Sequence, residues 1–395
     1  MVKLYLSKKH LSVPLFIIIR FLLVPETTAQ ETEDSAISFE TSVTGDFVRI
    51  FSGGAHRQPD FQYMGLEDAV LILNTEKCGL WKGGIFLFHG QNIHGATPSA
   101  TYTQDYQVFS NIEAGEHTGL YEFYFRQSLG ALTLMIGQSD MNSEFCVSQY
   151  ASLFINSSFG IIPSISLNVP AGIFPIGAQG FYLEYATGEN TSFKSAVYDG
   201  DPGDIITNIH NLDFEHHKGE GFLYIGEYTF SNFDERGNDY KIGMYYHSAE
   251  FKSYADTTQH IKGNYGIYGI VDKRILEPDG EFDNGLNAFL QFGFAPANRN
   301  LVSSYLGLGL NMHGPFKKQI HDNMGCGIAF MKIGNDFKAI YTESLQAETA
   351  IEFTYQFFVG PNYFFQPNLQ YLIHPGAIKG IDNAWVGTLR FSLSF

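Results

Sequence analysis

The chain has 395 residues, a formal net charge of −17 and 15% aromatic residues, with 36 Phe, 23 Tyr and 41 Gly. Its acidity argues against nucleic-acid binding and against a lumen built to attract phosphate. After residue 29 no apolar run is long enough to cross a bilayer as a helix.

Residues 1–29 read as a secretory signal peptide. Lys3, Lys8 and Lys9 precede a mostly apolar stretch over Leu11–Val24, and Thr27, Thr28 and Ala29 offer a small-residue cleavage site before Gln30. This segment carries Lys3, Lys8, Lys9 and Arg20 against Glu26, so its removal takes the net charge from −17 to −20. A short polar segment, 30–42, follows, and 43–395 reads as one domain.

That domain is dominated by period-two alternation, the pattern of a strand with lipid on one face and a lumen on the other. Candidate strands run in order over 43–51, 66–74, 84–91, 104–112, 119–128, 131–138, 181–187, 191–198, 220–230, 239–248, 265–275, 286–295, 303–312, 323–333, 347–357, 362–373 and the final segment to Phe395. Single-chain bacterial barrels use even strand numbers, so sixteen is the expectation, with 43–51 the first to drop out. The fold class is therefore all-β, a transmembrane antiparallel barrel. In the last strand Trp385, Gly387, Leu389, Phe391, Leu393 and Phe395 share one face, with Arg390 on the other. A terminal Phe on such a strand is what the outer-membrane barrel-assembly machinery commonly reads.

Segment 139–179 does not read as strand. A short helix is expected over 143–156, with Phe145, Tyr150 and Phe154 on one side. Pro163, Pro170 and Pro175 speak against regular structure beyond it. A long connection early in a barrel is a candidate to fold inward, with Asp140, Asn142, Glu144 and Asn156 as constriction residues.

Alternation places Glu122, Tyr124, Arg126, Glu348, Glu352, Gln356, Gln366, Asn368, Gln370 and Arg390 in the lumen as pore-lining residues, with Tyr245 and Gln291 beside them. Phe123, Phe125 and Tyr121 fall on the lipid face. The acidic surplus falls largely in loops such as 199–204 and 279–283. The three cysteines, Cys78, Cys146 and Cys326, imply no disulfide framework and read as buried or lipid-facing thiols.

No catalytic constellation stands out. His89 and His94 belong to no His-Glu-x-x-His motif, His216 and His217 lack zinc-type spacing, and no Gly-x-Ser-x-Gly elbow occurs. Neither a metal nor a cofactor is implied, and an outer-membrane enzyme such as a phospholipase is a remote alternative.

Several blocks resemble the carbohydrate-selective porin (OprB) family. These are Glu348–Tyr355, Phe365–Gly376 with its Gln366-Pro-Asn-Leu-Gln-Tyr371 core, Leu153–Phe159, Asn168–Pro175 and Lys194–Pro202. The Gly53-Gly54 and Gly83-Gly84 pairs also sit where the family has them. The resemblance runs from about residue 45 to the C-terminus. It implies a sixteen-stranded outer-membrane barrel that passes mono- and small oligosaccharides through a constriction, and either a monomer or a homotrimer is expected. Small neutral sugars and outer-membrane lipids are then its partners. A general or cation-leaning diffusion porin is the competing reading.

Overall fold

The structure is a computed structural model and describes residues 35–57, 60–232, 237–276, 285–316 and 321–395. The signal-peptide segment and the acidic stretch 279–283 lie outside these residues.

Sixteen antiparallel strands close into one barrel among the described residues. In chain order they are β1 Ile37–Gly54, β2 Gln62–Asn74, β3 Gly84–Gly95, β4 His117–Leu129, β5 Leu132–Ser139, β6 Ala178–Gly188, β7 Thr191–Asp199 and β8 Phe222–Ser231. They continue with β9 Asn238–Lys252, β10 His260–Leu276, β11 Gly285–Phe294, β12 Val302–His313, β13 Asn323–Ile333, β14 Ala347–Gly360, β15 Tyr363–Ile373 and β16 Asp382–Ser394. Each strand pairs with its sequence neighbour, and β1 pairs with β16. Closure is what a lipid environment demands, because an open edge would leave N–H and C=O groups without water.

At the seam Asp46 opposes Arg390. The guanidinium grips that carboxylate through two bonds, Nε to Oδ1 at 2.8 Å and Nη2 to Oδ2 at 2.9 Å. Phe395 extends the seam by exchanging backbone bonds with Thr41 at 3.3 and 2.9 Å.

Alternation sorts the two faces. On β12, Leu306, Leu308 and Leu310 point outward and are exposed, while Tyr305, Gly307, Gly309 and Asn311 point inward and are buried. Outward aromatics gather toward both rims. Phe222, Tyr224, Tyr246 and Tyr265 lie toward one and Tyr228, Phe230 and Tyr240 toward the other, as two interfacial girdles require.

The structure corrects the strand assignment in four places. Segment 43–51 is not dispensable: it is the heart of β1, which begins at Ile37 and so takes in the end of the polar segment. The candidate that drops out is 104–112, which lies in the β3–β4 connection. Gln104 and Val108 there have positive φ of 58° and 49°, and the amides of Tyr106 and Gln107 are captured by a wall carboxylate instead of a strand. Tyr121 is not on the lipid face, because a bulge between His89 and Gly90 in the β3–β4 register turns it inward. Finally, no continuous helix covers 143–156. Short 3₁₀ turns occupy Met141–Ser143 and Ala151–Leu153, and one-turn helices follow at Ser157–Gly160 and Pro163–Ser166. Pro163 starts the last of these, where its missing N–H costs nothing.

The three cysteines are unpaired. Cys146 is buried, but Cys78 is exposed in the β2–β3 turn, neither buried nor facing lipid, with its thiol directed to the Ala36 carbonyl.

Candidate channel lining and constriction

The long connections lie together at one end of the barrel. They are 96–116, 140–177 and 200–221, and the shortest turns close the other end. Connection 140–177 folds inward along the wall. It descends past Glu227 and Asp272, reaches the opposite end where the Tyr150 hydroxyl donates to the Gly237 carbonyl at 2.8 Å, and climbs back past β14, β12 and β9.

Irregular chain inside a barrel must find partners for its backbone groups. Here wall carboxylates supply them. Glu352 accepts the N–H groups of Ile155 and Asn156 at 2.8 and 3.0 Å, one on each oxygen. Glu348 does the same for Gln107 and Tyr106 at 2.8 and 2.9 Å. Asp272 takes the Ser148 hydroxyl and the Gln149 amide, Glu227 the Cys146 amide, and Asp46 the Ser110 hydroxyl. Amides and hydroxyls of the wall complete the grip. Gln366 donates to the Leu153 carbonyl, Gln370 to Phe109, Gln291 to Phe159, Tyr245 to Ser164 and Tyr305 to Ser158.

Packing matches this polar frame. Phe154, Phe159 and Phe289 form a cluster with ring centroids 4.8 to 5.6 Å apart. The cluster sits on Gly325 and Gly327. A Cβ at either position would come within 2.8 to 2.9 Å of Phe154 or Phe159.

A second group of charged wall residues lies on β2, β3, β4 and β7, where Asp68, His89, Arg126 and Lys194 are partly exposed around the buried Glu122. His89 bridges two carboxylates, with Nε2 at 2.8 Å from Asp68 and Nδ1 at 3.1 Å from Glu122. Arg126 pairs with Glu144 of the inward connection and lies over the rings of Tyr124 and Tyr182, 5.8 and 5.6 Å from their centroids. Lys194 donates to the Glu144 carbonyl at 3.2 Å. Glu144 therefore joins loop to wall through two cations, Arg126 on its carboxylate and Lys194 on its backbone carbonyl.

The pore-lining residues expected from sequence all point inward, but to two different environments. Tyr124 and Arg126 belong to the partly exposed set, and Glu122 is buried beside them. Glu348, Glu352, Gln366, Asn368, Gln370 and Arg390 are buried beneath the inward connections, and Gln356 lies toward the short-turn end, accepting from Asn323 at 2.9 Å. Of the constriction residues, Glu144 pairs with Arg126 of the wall. Asn156 is buried against Gln370 at 3.0 Å, and Asn142 is tied back to the Phe145 carbonyl. Asp140 accepts from the Tyr121 hydroxyl and the Asn142 amide, while its own N–H donates to Glu122. Burial, with Glu122 nearby, raises the Asp140 carboxyl to about 7. Asp68 and Lys194 escaped the sequence reading. The inward register of β2 and β7 was the signal that would have found them.

At the long-loop end a cavity of about 360 Å³ lies among the three connections, lined by Glu113, Val169, Phe174, Pro202, Asp204 and Ile205. Burial pushes the Glu113 carboxyl up to about 8, although it accepts the amides of Ser99 and Ala100.

A sixteen-stranded barrel with a loop folded onto its inner wall and a charged strip left open is a porin, a channel and not an enzyme. Comparison with known proteins places it more narrowly. The profile of the carbohydrate-selective porin, OprB family, matches residues 59–395, and the chain belongs to that family. It is a carbohydrate-selective porin of the outer membrane. Porin B of Pseudomonas aeruginosa is 22% identical over 422 aligned positions, covering 92% of this chain and 89% of that protein. The putative porin QuiX of Acinetobacter baylyi is 22% identical over 283 positions, covering 65% and 63%. Among solved structures, the high-pH structure of Pseudomonas putida OprB superposes with a TM-score of 0.83 at 18% identity, covering 94% of this chain and 96% of that one.

Proposed function

We propose that neutral mono- and small oligosaccharides diffuse passively along the strip of inner wall formed by β2, β3, β4 and β7. The observation that carries this reading is the partly exposed set Asp68, His89, Tyr124, Arg126 and Lys194 around the buried Glu122, with Glu144 of the inward connection held against it. Sugar hydroxyls donate and accept, so a strip with both charge signs engages them without the charge mismatch an ion meets. The Tyr124 ring adds a face for the apolar side of a pyranose. Loop and wall together are the constriction in this reading, and the mouth cavity is the entry.

The path lies within one barrel, so a monomer and each member of a homotrimer conduct alike. Residues 1–29 are removed as a signal peptide during export, and the barrel-assembly machinery then closes the β1–β16 seam in the outer membrane.

Liposome swelling with the purified protein tests the reading. Glucose is expected to enter faster than an amino acid of similar size. Equal rates would leave a general diffusion porin in its place, and swelling faster with cationic solutes than with glucose would make it a cation-leaning one.

A further inference from the structure

We infer that Asp199, His216 and Glu220 form a binding site for a divalent first-row transition metal ion of the zinc type, at the long-loop rim of the barrel. Asp199 ends β7, and the other two residues lie just before β8 on the returning limb of connection 200–221. One ligand atom from each residue lies within 4.8 Å of the others. His216 Nδ1 is 2.8 Å from Asp199 Oδ1 and 3.7 Å from Glu220 Oε2. Two ligands each about 2.0–2.2 Å from a tetrahedral zinc ion stand roughly 3.3–3.5 Å apart, between those two spacings. An ion therefore enters with small side-chain adjustments.

The ligands are also held in place. The His216 ring stacks on Phe222 with centroids 4.6 Å apart and planes 8° from parallel. Glu220 is oriented by its neighbour, whose Nδ1 lies 3.1 Å from Oε1, so His217 plays the outer-shell part that ligating carboxylates usually have. The surrounding charge favours a cation. Residues 199–220 carry Asp199, Asp201, Asp204, Asp213, Glu215 and Glu220 against the single Lys218.

An imidazole with two carboxylates suits a borderline ion completed by water, whereas calcium seeks six to eight oxygens. Coordination through Nδ1 places the ring proton of His216 on Nε2 and replaces its bond to Asp199. The spacing around His216 and His217 conceals the site in sequence, because Asp199 lies 17 positions away and only the loop's return brings it close. An ion there ties together the two ends of a loop whose Pro202, Gly203, Asp204 and Ile205 line the mouth cavity.

The test is calorimetric titration of Zn²⁺ into chelator-stripped, detergent-solubilised full-length barrel near pH 7.5, with X-ray absorption on the loaded protein. One ion per chain is expected, with nitrogen and oxygen but no sulfur in its shell, and with no displacement by equimolar Ca²⁺. His216→Ala and Glu220→Gln should each abolish that binding. His217→Ala should weaken it by roughly 10-fold or more, and His374→Ala should leave it unchanged. Retained heat-modifiable gel mobility shows that each variant is folded. Wild-type stoichiometry in both His216→Ala and Glu220→Gln, a sulfur ligand, or displacement by Ca²⁺ would overturn the assignment.

Discussion

The inner wall near β14 and β15 and the inner wall near β2 to β4 carry similar residues and use them differently. Glu348, Glu352, Gln366 and Gln370 are buried and spend their acceptors and donors on the backbone of two inward connections. Asp68, His89 and Arg126 remain partly exposed and pair mostly with one another, with the buried Glu122 and with a single loop side chain, Glu144. A polar residue facing a lumen is therefore not automatically a residue facing the permeant. The covered wall holds the inward connections, and in the function proposed above the open wall meets what passes through the channel.

Breaking the covered wall should cost stability. The largest effect is expected for Asp46→Ala, which leaves Arg390 buried without its counter-charge across the closing seam. Removing one partner of such a pair costs about 3–5 kcal/mol, to be read from urea unfolding in detergent micelles. Glu352→Ala comes next, since it leaves the amides of Ile155 and Asn156 without acceptors inside the barrel. At about 1–3 kcal/mol for each unmatched group, the loop should detach locally. Single-channel conductance should then rise and amide exchange over 150–160 should accelerate. An unchanged conductance would mean that the loop is held by its aromatic cluster alone.

Breaking the open wall should cost selectivity instead. Arg126→Ala removes one largely buried pair and two ring contacts but no bond that holds the backbone of an inward connection, so unfolding should move less than in Asp46→Ala. The reversal potential in a salt gradient should shift toward cations, because a positive charge leaves the gap. A variant that unfolds readily with unchanged selectivity would erase the distinction between the two walls.

The smallest effect is a pH dependence where the walls meet. The Asp140 carboxyl is raised from its ordinary value to about 7. Its protonated form is thus favoured in the folded loop, and its contribution is complete below the ordinary carboxylate range. That contribution is lost as pH rises through about 7. Amide exchange around 140–146 should accelerate over that window, and Asp140→Asn should flatten the profile.

What the sequence determined by itself follows from local rules. A strand between lipid and lumen must alternate, so β14, β15 and β16 and the inward direction of Glu348, Gln366 and Arg390 are legible residue by residue. The long irregular connection is legible too, since 140–177 lacks any sustained period. Tertiary structure alone decided which inward residues stay exposed, because that depends on where a connection distant in sequence settles. Glu352 and Asn156 are 196 positions apart, and no periodicity links them. The same holds for 104–112, which alternates like a strand but gives its amides to Glu348 at a separation of 241 to 242 positions. Tyr121 marks the same limit at short range, where one bulge in the register overrides the alternation.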